Sequence, residues 1–145
     1  SAASDVYKRQ ALAKETNNDK KAEMAYVTAA ALMQAKKLSQ ARSYCQKAMS
    51  FKENYGEPYI LLAQLYGSNP NWTDEPALNK CTYFVVIDKL QKAKAVDSSV
   101  TERANELIST YSRHTPQAKD LFMLGYKAGD RITIGGWIGE STTIR

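Results

Sequence analysis

The chain reads as all-α, a right-handed solenoid of antiparallel helix pairs closed by a short C-terminal β-hairpin or extended cap. Three observations predict this. Ala22 and Gly56 open the same helix-pair pattern 34 residues apart, and periods of 20–50 residues mark stacked repeats. Ala41, Cys45 and Ala48 form a small apolar rung at spacings of four and three, which Val86, Leu90 and Ala93 repeat. Gly and Pro are scarce, at 7 and 4 of 145 residues, which favours helices.

Composition sets the outer bounds. A chain of 145 residues supports one domain with a real core, and 43% hydrophobic with 24% charged residues is ordinary for a globular protein. The longest apolar stretch, Tyr59 to Tyr66, is interrupted by Gln64 and is far too short to cross a bilayer, so no membrane insertion is expected. Residues 1–10 lack the order of a signal peptide and resemble translated sequencing adapter at the end of a gene model. They are set aside as a non-native leader, and the true start is expected to lie elsewhere.

Residues 11–114 form the helical repeats. Ala11 to Thr16 reads as the tail of an earlier helix, ended by Asn17-Asn18-Asp19. The first complete unit, residues 22–55, pairs a helix over Lys21 to Gln34 with one over Ser39 to Phe51. The second unit, residues 56–100, opens with Glu57 to Tyr66, where Pro58 suits a first turn. Its second helix is displaced by eleven residues, about three helical turns, through an insertion at residues 67–80. Part of that insertion is loop; the rest predicts one long helix from Asp74, as N-cap, to Val96. Ser99 and Glu102 have capping-box spacing and open a third first-type helix that ends near His114. Residues 115–145 hold a short helix from Thr115-Pro116 to about Leu124, then an Ile-, Thr- and Gly-rich tail suited to a hairpin. A solenoid's apolar end face needs covering, and Ile132, Ile134, Trp137, Ile138 and Ile144 are assigned to it, packed on the last helices.

With Tyr59, Leu62, Ala63 and Tyr66 in a first helix and Ala41, Cys45 and Ala48 in a second, the pattern over residues 11–114 resembles the tetratricopeptide repeat (TPR). Ala25, Thr28 and Leu32 depart from that family's bulky positions, and Glu53 stands in place of its usual proline. The closing segment from Gly135 to Arg145 resembles the ends of small exported TPR proteins from Bacteroidota-type bacteria, which implies a periplasmic or envelope location.

The resemblance implies a non-enzymatic scaffold whose concave first-helix face takes a peptide or protein. By period the groove carries Tyr26, Ala30, Met33 and Gln34, then Ile60 and Gln64, then Asn105, Ser109 and Arg113. Glu23, Glu57 and Glu102 share it, and either contact the partner or complement helix dipoles. A clamp for a terminal carboxylate is excluded, since the family's basic positions hold Tyr26, Ala30, Leu61, Glu102 and Glu106 here. Trp72, in the exposed Asn71-Trp72-Thr73 loop, either anchors a partner or packs back over the following helix.

No other chemistry stands out. His114 has no nucleophile motif beside it, so neither catalysis nor a cofactor is expected. Two cysteines and one histidine do not make a metal set. Cys45 and Cys81 either form a bridge worth about 3–4 kcal/mol in an oxidising compartment or are ordinary buried thiols. The formal charge of +5 keeps one alternative, a basic nucleic-acid-binding helical module. Against it, the lysines fall on turns and helix surfaces among acids, as on a solvated face.

Overall fold

The computed structural model describes residues 2–145 and is mostly helical, with one small antiparallel sheet. Helix α1 runs Ala2–Lys14, so the segment set aside as a leader is helical apart from Ser1, which lies outside the described residues. Its one buried side chain is Leu12, beyond that segment. Helix α2 spans Asn18–Gln34, and the Asn17 side chain caps it by accepting from the Lys20 amide at 3.1 Å.

A three-residue turn reverses the chain into α3, Leu38–Phe51. Lys36 sits there at φ 59, the amide of Lys37 reaches back to the Leu32 carbonyl at 2.9 Å, and that of Lys36 reaches Met33 at 3.0 Å. This is a Schellman ending with lysine where glycine is usual. The α2–α3 hairpin buries Ala25, Ala29, Leu32, Ala41, Cys45 and Ala48. Small residues at these positions let the two backbones approach closely.

Helix α4, Glu57–Gly67, lies centrally and buries Ile60, Leu61, Leu62, Ala63, Leu65 and Tyr66. The expected long helix after it is broken. Helix α5 covers Pro76–Lys80 and α6 covers Thr82–Val96. At the break the amides of Cys81 and Phe84 bond three residues back, to Leu78 and Cys81, instead of four. The cause lies in the loop. The Asn79 carboxamide accepts from the amides of Trp72 and Thr73 at 2.9 and 3.0 Å, and the buried Thr82 hydroxyl donates to the Pro70 carbonyl at 2.8 Å. Asp74 is not the N-cap, because Glu75 holds that place.

A 3-10 turn at Ser98–Val100 leads into α7, Thr101–Ser112. The capping box at Ser99 does not form. Asp97 caps instead, accepting from the Ser99 amide at 3.1 Å, from its hydroxyl at 2.6 Å and from the Gly56 amide at 2.9 Å. Those hydrogen bonds, the Ser99 hydroxyl foremost, hold the Asp97 carboxyl below the usual range. One side chain thus ties the start of α4 to the start of α7.

Helices α4 and α7 run in one direction. Arg103 near the start of α7 pairs with Glu57 at the start of α4 at 2.8 Å, and the Tyr111 ring lies over Gly67 at the two C-terminal ends. A Cβ on Gly67 would fall 2.7 Å from that ring, so the approach needs glycine.

The tail forms the hairpin but not where expected. Helix α8, Ala118–Met123, packs on α5, while β1 (Arg131–Thr133) and β2 (Ser141–Thr143) pair antiparallel, Ile132 opposite Thr142. The tail lies on α3, α4 and α6, in the middle of the array, and not on the last helix. Arg42 of α3 donates to the Trp137 and Ile138 carbonyls at 2.5 and 3.1 Å. Glu140 accepts from Tyr66 of α4 and pairs with Lys89 of α6, each at 2.5 Å. Asp88 of α6 accepts from the buried Thr142 hydroxyl at 2.7 Å and pairs with Arg145. The exposed end of the array is met instead by α7 itself, whose inner side buries Ala104 and whose outer side is polar.

Candidate functional site

Two sides of the helical array differ in what covers them. The tail occupies the side built by the second-type helices α3 and α6, and burial of Ile132, Ile134, Ile138 and Ile144 fixes it there. The opposite side is built by α2, α4 and α7. On it Tyr26, Ala30, Met33 and Gln64 are half-buried, and Gln34, Asn105 and Ser109 are exposed.

Tyr26 is the best-defined member of this face. Its ring meets Tyr55 edge-to-face at 5.8 Å, and burial, then the neighbouring Glu57 carboxylate, push its hydroxyl up. Tyr55 is pushed up to about 12, again first by burial. Glu57 and Glu102 stand in the first turns of α4 and α7, where they complement the dipoles. Glu23 does not, because α2 begins earlier than expected and Asp19 takes that position.

Ile60 lies elsewhere than expected, and one of the two placements left open for Trp72 is realised. Ile60 is fully buried (0% exposed), since α4 is apolar nearly all round and has neighbours on every side. It is core, not groove. Trp72 packs back: its indole donates to the Leu78 carbonyl at 3.1 Å, and its ring closes on Gly135, where a Cβ would sit 2.7 Å away. Arg113, at the C-terminal end of α7, borders the insertion.

Clefts mark the C-terminal ends of the first-type helices. Met33 and Gln34 line one of about 360 Å³ with Leu38, Leu65 and Ser68. Arg113 lines a second, of about 430 Å³, with Lys80, Tyr83 and His114. Asn69 borders the first and Pro70 the second, so they lie on either side of one peptide bond. A third surface was not among the candidates. Phe122 and Met123 on α8 are 74% and 85% exposed beside a cleft of about 470 Å³ that reaches Ile144. Their run of four apolar residues, Leu121 to Leu124, was the available signal.

Both cysteines are free and buried, so no bridge forms; burial pushes Cys45 up to about 12 and Cys81 to about 11. Among the described residues no cluster of three or more His, Cys, Asp or Glu is placed to hold a metal, and no helix is long and apolar enough to cross a membrane. Two tyrosines that could otherwise stack on nucleic-acid bases, Tyr44 and Tyr55, are engaged. Tyr44 is buried beneath Lys47, whose ammonium lies 4.5 Å from the ring centre, and Tyr55 carries Lys52 at 5.2 Å.

These features define a helical protein with one small antiparallel sheet and an uncovered first-helix side. Compared with family models, curated proteins and solved structures, the chain gives no significant match.

Proposed function

We propose that the chain is a non-enzymatic scaffold, a right-handed TPR-type α-solenoid of antiparallel helix pairs that takes a peptide or protein partner on its first-helix face. The observation that carries this reading is the asymmetry of cover. The tail lies across α3, α6 and Tyr66 of α4, whereas Tyr26, Ala30 and Met33 of α2 and Gln64 of α4 are half-buried and reachable. Half-buried apolar groups flanked by amides and an ion pair suit an interface, with Tyr26 as the aromatic anchor. Both thiols are buried, with their pKa raised, and the histidine ring is set against Tyr83, which favours a scaffold over thiol chemistry.

Peptide binders selected on the immobilised protein test the proposal. Tyr26→Ala with Gln64→Ala and Asn105→Ala abolishes their binding and leaves helical circular dichroism intact. Ile60 is left alone, because its replacement would unfold the core. Undiminished binding to the triple variant overturns the reading.

A further inference from the structure

The insertion of the second unit builds one wall of the 430 Å³ cleft, and the C-terminal end of α7 builds the other. Lys80 enters from the first wall, and Arg113 and His114 from the second. No carboxylate is among the residues that line it. Elsewhere Lys37, Lys89, Arg103 and Arg145 each hold an acid, but among the described residues neither Lys80 nor Arg113 has an ion pair. Lys80 also borders a hollow shared with Glu75 and Asp120 and pairs with neither. A single cation at a helix C-terminus would only complement the dipole. Here the ends of two helices, α5 and α7, bring theirs to the same void.

The walls are fixed before any ligand arrives. Asn79 binds the Trp72 and Thr73 amides and donates to the Thr73 carbonyl at 2.9 Å, locking the loop onto α5. The Tyr83 ring stacks on Tyr111 at 6.0 Å and meets the His114 ring at 5.2 Å. Groups held in advance lose little freedom on binding.

We infer that this cleft binds the phosphate group of a small phosphomonoester. Arg113 supplies a planar fork for the phosphate oxygens and Lys80 a mobile point charge. The cleft has room for a compact organic body beyond the phosphate. This site is independent of the first-helix face, and peptide binding there neither supports nor weakens it.

His114 is the single histidine of the chain, so in untagged protein its imidazole C–H resonances report on this cleft alone. Inorganic phosphate, glycerol 3-phosphate and sodium chloride are titrated at matched ionic strength and constant pH. Both phosphates produce a saturable shift, the monoester at lower concentration, and chloride does not. Lys80→Gln and Arg113→Gln each weaken binding by about tenfold, the effect of losing one charge-assisted hydrogen bond. Both side chains are exposed, so the variants keep their fold, which circular dichroism checks. A non-saturating drift shared with chloride, or full affinity in the double variant, overturns the site. Equal affinity for free phosphate and monoester overturns the assignment to a phosphomonoester.

Discussion

On the second-helix side the tail commits four isoleucines and a set of polar clamps to α3, α4 and α6; on the first-helix side Tyr26, Ala30 and Gln64 meet no comparable strap. The difference teaches how a short array divides its surfaces. One side is closed by chain that belongs to the protein, with each buried hydroxyl partnered, as Thr142 is by Asp88 and Tyr66 by Glu140. The other side keeps aromatic and amide groups at the boundary between core and solvent.

Breaking the closed side should cost the most. Ile134→Ala removes a fully buried anchor of the tail and is expected to destabilise by about 2–4 kcal/mol, read as a fall in urea midpoint. Glu140→Ala comes next. It strands the Tyr66 hydroxyl, whose proton burial and the Glu140 carboxylate hold tightly, and frees Lys89, for about 1–3 kcal/mol. An unchanged midpoint for either variant would mean that the strap is not part of the stable fold.

Asp97 ties two helices of the open side together, and its removal should have an intermediate effect. Asp97→Ala loses a cap and leaves the buried Gly56 amide unpaired, for about 1–2 kcal/mol. The pH dependence has a definite sign. Because the folded carboxyl lies below its ordinary value, its contribution is present above about pH 4 and fades as pH falls through the folded value. Asp97→Asn should flatten that acid limb of the stability profile. Smallest, and opposite in sign, is Lys36→Gly. It relieves the left-handed turn and is expected to raise stability by about 0.5–1 kcal/mol.

The sequence made some of these regions legible and hid others for physical reasons. Helices α2, α3, α4 and α7 follow from apolar periodicity and turn residues, because those signals lie within each helix and its flanks. The break at Cys81 is invisible to periodicity, since it depends on Asn79 and Thr82 reaching loop groups at Trp72, Thr73 and Pro70. Likewise Ser99 has the spacing of a cap, but Asp97 wins by satisfying the Gly56 amide 41 residues away as well. The tail's composition announces a hairpin and buried isoleucines. It cannot announce their destination, which is set by Arg42, Asp88 and Lys89 on helices far away in sequence. Of the proposed face, Tyr26, Ala30, Met33 and Gln64 stay half-buried. Ile60 does not, because period places a residue on a helix and neighbours decide its burial.

The open first-helix side, and not the strapped side, is proposed to receive a partner. Amide chemical-shift mapping with a selected peptide tests it most directly. The expected perturbations centre on Tyr26, Ala30, Met33, Gln64 and Asn105; perturbations centred on Arg42, Asp88 and Glu140 would contradict it.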